Sequence, residues 1–335
     1  MGKKLFDYVI GNPPYQKLDG GNNASAIPLY DKFIECIVKQ LNPHYLSLII
    51  PSRWYSGGRG LDKFRKFMMN DTHIKELHDY QNANECFPGM DISGGVCFFL
   101  RDNQYDGKCS VTDEGKNAGG GTLERYLNEF PIVIGDNNAV RVLRNILKVK
   151  DDTLNTKVST QRPFGLRTYA RPTGNGDLLL KWNKGIGPIE RQKITLGTEM
   201  IDKWKVIVSR VFYEHAGKAD KDGKCRVLSI LEVLPPKTIC TETYLVVDSF
   251  DCEEEALNLK RYLQSKFSRF LILQASSSIM ITQNSFIFVP MQDFTASSDI
   301  DWSKSVHEID LQLYKKYGLD EQEINFIESH VKEMA

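Results

Sequence analysis

The chain has 335 residues, of which 41% are hydrophobic, 10% aromatic and 26% charged. These ordinary globular proportions exclude long disorder, collagen-like repeats and coiled coil. The length favours two domains, because a single core rarely organises more than about 250–300 residues. The 43 basic side chains balance the 43 acidic ones, so any attraction for a polyanion has to come from an uneven distribution of charge.

Three kinds of site or segment are not predicted by the sequence. There is no stretch near the roughly 18 consecutive apolar residues that span a bilayer, and Asp7 stands where a signal peptide has its apolar core. The seven cysteines form no Cys-x-x-Cys pair, and the six histidines show no metal-ligand spacing. We therefore expect a cytoplasmic protein with no disulfide framework and no metal.

Strand and helix patterns alternate over the first 110 residues. Short apolar runs predict strands over residues 5–10, 46–50, 73–80 and 96–100, with an edge strand over 108–112. Apolar positions at helical spacing predict helices over residues 28–41 and 61–69. Strands that alternate with helices are typical of an α/β fold with a right-handed parallel sheet.

The pattern changes in the second half of the chain. Glycine and asparagine cluster between residues 115 and 138, which predicts a domain boundary near Asp152 after a bridging helical segment. That segment, the later strands and one long amphipathic helix are predicted over residues 127–150, 203–210, 226–233, 243–247 and 251–273. Two C-terminal helices should meet at Gly318, which can adopt the left-handed conformation that ends a helix. We expect a second, mixed α+β domain.

The sequence Asn12-Pro13-Pro14-Tyr15 directly follows the first predicted strand, where open α/β sheets place their ligand sites. The prolines fix φ and remove two N–H donors, which leaves the carbonyls of Asn12 and Pro13 able to face a ligand. The Asn12 side-chain oxygen and the Pro13 carbonyl can each accept one hydrogen of an exocyclic amino group, and Tyr15 can stack on the ring that bears it. A rigid turn is the alternative interpretation, since Asn-Pro and Pro-Pro are common in turns.

With its preceding strand, this tetrapeptide resembles motif IV of the amino-group DNA methyltransferases of restriction-modification systems that act on adenine. The run Ile49-Ile50-Pro51-Ser52-Arg53-Trp54-Tyr55, with the glycine-rich residues 57–60 after it, resembles motif VI of the type II subgroup that fuses methylase and nuclease. Residues 87–100, which begin Phe87-Pro88-Gly89, resemble motif VIII. Residues 240–245, 267–270 and 289–294 resemble elements of the target-recognition domain in the same subgroup.

The resemblance implies a fold and a reaction. The fold is a partial Rossmann-like methyltransferase sheet from the motif IV strand onward (motifs IV to VIII, residues 1–150), then a mixed α+β target-recognition domain (151–300) and a C-terminal helical segment (301–335). The reaction is methyl transfer from S-adenosylmethionine to the exocyclic amine of an adenine flipped out of the duplex. The implied catalytic residues are Asn12, Pro13, Pro14 and Tyr15, and the implied contact to the target base is Phe87.

The chain also departs from the family pattern. These methyltransferases carry motif X and motif I, the glycine-rich loop that holds S-adenosylmethionine, ahead of motif IV, whereas this sequence starts at the motif IV strand. The glycine clusters at residues 57–60 and 119–121 lack the strand-loop-helix context of a cofactor loop. We expect an incomplete cofactor pocket, an exposed apolar edge strand, an inactive isolated chain, and an N-terminal half on another segment or a partner subunit.

Basic residues are concentrated in the middle of the chain. Residues 151–235 hold 15 basic and 10 acidic side chains, whereas residues 236–335 hold 9 and 16. Arginine and lysine near aromatic residues in this middle segment predict contacts to double-stranded DNA, and the predicted contact residues are Arg162, Arg167, Arg171, Lys184, Arg191 and Lys193. For each of them a solvated surface position is the alternative.

Two other functions are compatible with these residues. The chain can be a DNA-binding specificity module that has lost its chemistry, or an enzyme that methylates a glutamine amide or an RNA base through the same loop. Cofactor affinity distinguishes the first from a methyltransferase, and substrate choice distinguishes the second.

Overall fold

The computed structural model describes residues 6–17, 27–58, 60–90, 92, 94–114, 119–149, 152–212, 220–276 and 280–334. Leu5, with which the first strand was predicted to begin, lies outside these ranges, as do Arg59 of the glycine-rich loop and Asp91 and Ser93 of the motif VIII resemblance. The chain divides into two compact units, residues 1–140 (unit 1) and 141–335 (unit 2).

Unit 1 is built around a mixed sheet. Its strands are β1 (Tyr8–Gly11), β2 (Gln16–Lys17), β3 (Ile27–Pro28), β4 (Tyr45–Pro51), β5 (Ile74–Tyr80), β6 (Val96–Asp102), β7 (Cys109–Glu114) and β8 (Thr122–Arg125). Its α-helices are α1 (Tyr30–Cys36), α2 (Asp62–Met69), α3 (Ala83–Cys86) and the start of α4 (Asn137–Lys148). A π-helical turn (Ile37–Leu41) extends α1, and a 3-10 turn (Ser52–Tyr55) follows β4.

The six-stranded sheet has the order β1-β4-β6-β5-β7-β8. The α/β class predicted from the sequence is confirmed, but the prediction of a parallel sheet is wrong. Only the β1–β4 and β5–β7 pairs are parallel, whereas β6 runs antiparallel to both of its neighbours. The described part of the β5–β6 connection holds only the four-residue helix α3, and parallel strands need a longer crossover helix.

One of the two edges of this sheet differs from the prediction. The strand predicted at residues 108–112 as an edge is β7, which lies between β5 and β8. The sequence did not predict β8 because the segment Thr-Leu-Glu-Arg has only one apolar residue. At the other edge β1 pairs with β4 alone among the described strands, and its side chains Tyr8 and Ile10 are 71% and 84% exposed. The described residues therefore include an exposed apolar edge strand.

The core of unit 1 lies on one face of the sheet. Inward side chains of the central strands, such as Leu48, Leu77 and Phe99, are at most 4% exposed. They pack against Ile34 of α1 and Phe64 of α2 in one hydrophobic cluster. This packing fixes β1 and β4 side by side with their carboxyl ends at the same edge, which positions the loops that follow them.

The described residues of unit 2 form two three-stranded sheets and four further α-helices. Its strands are β9 (Leu178–Trp182), β10 (Gly185–Ile189), β11 (Trp204–Ser209), β12 (Leu231–Leu234), β13 (Thr238–Cys240) and β14 (Tyr244–Phe250), in the orders β10-β9-β13 and β12-β11-β14. Its helices are α5 (Glu253–Gln264), α6 (Lys266–Gln274), α7 (Val306–Lys316) and α8 (Glu321–His330), with 3-10 turns at Leu154–Thr156, Arg191–Lys193, Thr198–Met200 and Gln283–Phe286.

Helices α5 and α6 replace the single helix predicted over residues 251–273, so that prediction is wrong. The break occurs at Ser265, whose backbone is extended and whose hydroxyl accepts a hydrogen bond from the Ser268 amide at 3.1 Å. Asp310 accepts two more bonds from the first amides of α6, so a distant residue stabilises the new helix start. The C-terminal pair is confirmed, with Gly318 at φ +63 between α7 and α8.

The predicted bridging helix over residues 127–150 is correct only in its second part, because α4 begins at Asn137; residue 150 lies outside the described ranges. None of the described helices is both long enough and apolar enough to cross a membrane.

Candidate active site and DNA-binding loop

The loop Asn12–Tyr15 leaves the carboxyl end of β1 directly, as the sequence predicts. Asn12 and Pro14 are exposed, whereas Pro13 and Tyr15 are half-buried. The loop ends where the Leu29 amide donates a hydrogen bond to the Tyr15 carbonyl at 3.1 Å, next to the β2–β3 ribbon. The Asn12 side chain is therefore open to a ligand from solvent, while Tyr15 is held against the protein.

The hydroxyl of Tyr15 is turned inward. It is buried and forms no hydrogen bond of normal geometry with the described residues. Burial raises the pKa of Tyr15, and the nearby Cys86 and Cys97 raise it further. The Asn12 side chain lies close enough to lower it. Asn12 and Tyr15 are thus neighbours in space as well as in sequence. The Asn12 amide is exposed to solvent, whereas the Tyr15 hydroxyl is buried.

Phe87 lies in the connection between β5 and β6. It follows the short helix α3, whose start is capped by the Asn82 side chain and whose end is closed by the hydrogen bond from the Phe87 amide to Ala83 O at 2.7 Å. The side chain of Phe87 is half-buried. Cys86, its neighbour in sequence, is close enough to affect the pKa of Tyr15. Cys86 thus places the end of α3, next to Phe87 in sequence, near Tyr15.

A layer of buried polar groups lies beneath these loops, and the sequence did not predict it. Besides Tyr15, the hydroxyls of Tyr30 and Tyr55 and the indole nitrogen of Trp54 are buried without a hydrogen bond of normal geometry among the described residues. All lie near the thiol of Cys97, whose pKa burial raises to about 12. Buried donors are normally paired, and here Tyr55 and Trp54 interact with the Cys97 thiol.

Asp79 is the acidic member of that layer. It lies on β5, is 2% exposed, and accepts a hydrogen bond from Ser52 Oγ at 2.7 Å. Burial raises the pKa of Asp79 to about 6, while Ser52, Tyr55 and Arg125 act to lower it. A Cβ at Gly135 would approach Asp79 Oδ2 to 2.4 Å, so only glycine fits there. A polar residue on the same strand face as buried Leu77 is the sequence signal that could have identified Asp79.

In unit 2, Glu242 organises the loop formed by residues 161–171. Its carboxylate accepts hydrogen bonds from the Thr168 amide at 3.1 Å and from Gln161 Nε2 at 3.3 Å, and it pairs with Arg162 Nε at 3.2 Å. Burial acts to raise the pKa of Glu242, but the Thr168 bond, Gln161 and the guanidinium groups of Arg162 and Arg167 lower it overall. Because Glu242 is only 9% exposed, it fixes the loop from within.

The six predicted DNA contacts have different environments. Arg162 pairs with Glu242, and Arg191 pairs with Asp177 at 3.2 Å and Asp202 at 3.7 Å. Arg171 lies over the ring of Trp182, 4.4 Å from its centroid. The remaining three are exposed and make no ion pair within 4.0 Å with any described residue: Arg167, Lys184 and Lys193. The sequence could not separate these two groups, because the partners lie far apart along the chain.

Two further observations concern small ligands and metals. A shallow cavity of about 350 Å³ lies on the sheet of unit 1 and is lined by Lys75, Glu76, His78, Tyr105, Ser110, Thr112, Thr122 and Glu124. It contains none of the predicted site residues. Within the part of the chain that the structure describes, no three His, Cys, Asp or Glu side chains are arranged to hold a metal ion.

Comparison with known proteins finds a similarity to restriction-modification methylases in the N-terminal region. Residues 1–87 match the family model of the Eco57I restriction-modification methylase. A protein of Mycoplasma pneumoniae described as an uncharacterized adenine-specific methylase is 35% identical over 131 residues, which are 36% of this chain and 29% of that protein. The chain therefore covers less than a third of this relative. The predicted similarity to adenine-specific restriction-modification methylases is confirmed at this level.

Solved structures of restriction-modification enzymes are also similar in part. The type IIL enzyme MmeI, solved in complex with DNA, has a TM-score of 0.47 and 9% identity, over 96% of this chain and 56% of that one. The type IIG restriction endonuclease BpuSI has a TM-score of 0.33 and 10% identity, over 86% and 47%. Similarity at this level assigns neither a substrate nor a residue role.

Proposed function

We propose that this chain takes part in the methylation of adenine in double-stranded DNA at specific sites. The exocyclic nitrogen of a flipped adenine would attack the methyl carbon of S-adenosylmethionine. The N–C bond would form as the S–CH3 bond breaks, S-adenosylhomocysteine would leave, and the nitrogen would lose one proton. The observation that supports this most strongly is the Asn12–Tyr15 loop at the carboxyl end of β1, inside the segment that matches a methylase family.

In this proposal each residue of the motif has a physical task. The exposed Asn12 side-chain oxygen and the Pro13 carbonyl accept the two amine hydrogens, which directs the nitrogen lone pair at the methyl group. Pro14 keeps the loop rigid. Flipping costs a few kcal/mol, and stacking on Tyr15 and Phe87 recovers roughly 1–3 kcal/mol per base. The inward hydroxyl of Tyr15 implies that its ring, not its hydroxyl, serves the base.

We propose that the described residues supply only part of a site for S-adenosylmethionine. The Asp62 carboxylate closes the glycine-rich loop before α2, since its Oδ1 accepts the Gly58 amide at 3.2 Å and would lie 2.5 Å from a Cβ at Gly57. An acid at that helix start competes with the carboxylate of the methionine part of the cofactor for the helix N-terminus. The second glycine cluster precedes strand β8, not a helix. We therefore assign no residue of this chain to the cofactor.

We infer that another strand pairs with β1 and that its segment or subunit contributes to the cofactor site. Phe6, Tyr8 and Ile10 are 53%, 71% and 84% exposed, and on its other side β1 pairs with none of the described strands. A flat apolar edge of this kind favours strand addition. The partner proposed here is the N-terminal half of a methyltransferase sheet, on another segment of the protein or on a second chain.

Unit 2 is proposed to bind the DNA. Its exposed cations Arg167, Lys184 and Lys193 suit phosphate contacts, which need charge without a fixed geometry. Protein groups already hold the side chains of Arg162, Arg171 and Arg191. We therefore propose that these three arginines stabilise the surface rather than contact bases.

A specificity module without chemistry is the second candidate, because we assign no residue of this chain to the cofactor. The test uses the full natural protein that contains this chain, with any subunit that copurifies, radiolabelled S-adenosylmethionine, and duplex DNA, RNA or a glutamine peptide as acceptor. We expect N6-methyladenine in the DNA and very weak cofactor binding by the isolated chain. DNA binding without methylation would favour the specificity module, and label in RNA or peptide would contradict DNA as the substrate.

A further inference from the structure

Tyr169 is an exposed aromatic residue at the tip of the loop that Glu242 holds. It is 75% exposed, and every other described aromatic side chain of unit 2 is buried or half-buried. One exposed aromatic residue is unremarkable by itself. Tyr169, however, lies two residues from Arg167 and two from Arg171, within a loop whose position is fixed.

The base of this loop is fixed by Glu242 and by close packing. Besides the bonds to Gln161, Arg162 and Thr168, the Glu242 amide donates to the Leu166 carbonyl at 2.9 Å. Gly165 has φ +79, and a Cβ there would lie 2.0 Å from Thr195 Oγ1. The loop therefore approaches its neighbours more closely than any other residue type would permit.

The tip is closed as well. The Ala170 amide donates to the Arg167 carbonyl at 2.9 Å, and Arg171 donates through Nη1 to the carbonyls of Thr168 and Ala170, each at 2.8 Å. The same guanidinium group lies over Trp182. These contacts surround Tyr169 with ordered backbone while its ring stays in solvent. A side chain presented on a preordered loop loses little conformational entropy when it binds.

We propose that Tyr169 inserts between neighbouring base pairs of the bound DNA and stacks on a base there. The proposal rests on DNA binding by unit 2. Arg167 lies beside Tyr169 in the loop and carries the charge for a phosphate on the same strand. Glu242 is a positioning residue in this proposal, since it touches the loop and not the DNA.

Insertion of a side chain has a predictable sequence preference. A wedge unstacks a base step and bends the duplex, and pyrimidine–purine steps such as TA and CA unstack most easily. Tyr169 therefore favours targets that contain such a step at the insertion point. This selects sequence through deformability, without a hydrogen bond to a base edge.

The experiment uses the full chain and a duplex that it selects from a random pool, with binding followed by fluorescence anisotropy. Loss of the ring in Tyr169→Ala should weaken binding by about 5- to 150-fold, the equivalent of one base–aromatic stack, whereas Tyr169→Phe should bind like the parent. Leu311→Ala is the matched control, because Leu311 is an exposed apolar residue of the same unit, 48% exposed on α7.

Two readouts separate insertion from a general surface effect. A 2-aminopurine scanned along the site should brighten at one step with the parent and stay dark there with Tyr169→Ala. Glu242→Gln should weaken binding, and Tyr169→Ala should add little to it, because both changes remove the same ordered contact. Equal DNA binding by the parent and Tyr169→Ala would overturn this inference but not the proposed DNA binding. Full additivity of the effects of Tyr169→Ala and Glu242→Gln would do the same. Failure of the parent to bind any duplex would overturn the proposed DNA binding as well.

Discussion

The loop after β1 and the loop of residues 161–171 are held in place by different means. Two consecutive prolines and one backbone hydrogen bond at Tyr15 fix the first. The second is fixed by Glu242, which binds Thr168 from 74 positions further along the chain. The first loop presents backbone and amide oxygens, which are acceptors, whereas the second presents cations and a ring. One is therefore suited to an amine and the other to a nucleic acid surface.

The carboxylates near the two loops also differ in their electrostatics. Asp79 is buried with few compensating partners, and burial raises its pKa to about 6. Glu242 is almost as buried, yet its hydrogen bonds and ion pair outweigh that burial and lower its pKa. Burial alone does not set the direction of a pKa shift, because the partners of the charged form decide it. The contributions of Asp79 and Glu242 to folding stability should therefore change in opposite directions as the pH rises.

The largest expected effect comes from Asn12→Ala in the methylating protein. If Asn12 orients the amine as proposed, the change removes an acceptor that acts mainly in the transition state, so turnover should fall by about 100- to 1000-fold, as when one oriented hydrogen bond is lost from an oxyanion hole. The affinity for DNA should stay nearly unchanged. Steady-state methylation of a duplex measures the first quantity and anisotropy the second.

Asn128→Ala is the matched control for this prediction, because Asn128 is an exposed asparagine of the same unit. It should methylate at the rate of the parent. Equal rates for Asn12→Ala and Asn128→Ala would reduce the motif to a rigid turn.

The loop after β1 is defined by neighbouring residues, whereas the loop of residues 161–171 depends on a residue far away in the sequence. This difference also explains which features the sequence could predict. The loop Asn12–Tyr15 is defined within four residues, and the strand before it is a short apolar run, so both were placed correctly. The strands β4 to β7 and the helices α1 and α2 were found for the same reason, since each has its own apolar period. Their relative directions were not, because direction depends on the connection between β5 and β6.

Features that depend on distant partners could not be predicted. The break at Ser265 depends partly on Asp310, and the function of Glu242 depends on Gln161, Arg162 and Thr168. None of these contacts leaves a local pattern. The split of six basic residues into paired and exposed groups likewise follows from Asp177, Asp202 and Trp182, which only the folded chain brings near.

A smaller effect is expected at Tyr15. If Tyr15 stacks on the flipped base as proposed, Tyr15→Ala loses a stack worth roughly 1–3 kcal/mol and should reduce the flipped population about 5- to 150-fold. Tyr15→Phe keeps the ring and should retain most activity, because the hydroxyl faces the protein interior. Fluorescence of 2-aminopurine at the target base reports the flipped state. If Tyr15→Phe were as impaired as Tyr15→Ala, the hydroxyl and not the ring would be the functional group.

The response of stability to pH tests the contrast between Asp79 and Glu242. The folded pKa of Asp79 is raised, so the folded state holds the proton more tightly, and the stability of unit 1 should fall as pH rises from about 4 to 6. Asp79→Asn should lack this loss and gain about 2–3 kcal/mol on the parent between pH 4 and 7. Hydrogen exchange in peptides of β5 measures the stability of unit 1 separately from that of unit 2.

Glu242→Gln is the opposing control for this measurement. The folded pKa of Glu242 is lowered, so the carboxylate contributes stability above its unfolded pKa, and that contribution is lost as pH falls below about 4.5. The effect of Glu242→Gln should be measured by hydrogen exchange in peptides of unit 2. Parallel pH profiles for the two variants relative to the parent would contradict the opposite electrostatics assigned to the two acids.

The smallest effect distinguishes two basic residues on one 3-10 turn, Arg191 and Lys193. Arg191 pairs with Asp177 and Asp202, whereas Lys193 is exposed and makes no ion pair with a described residue. If Lys193 contacts a phosphate, Lys193→Gln should weaken DNA binding a few-fold and reduce the slope of log affinity against log salt by about 0.9, the counterion release of one contact. Arg191→Gln should change the slope much less. Salt titrations of the two variants side by side give the answer, and equal slopes would show that local ion pairing does not decide which cations reach the DNA.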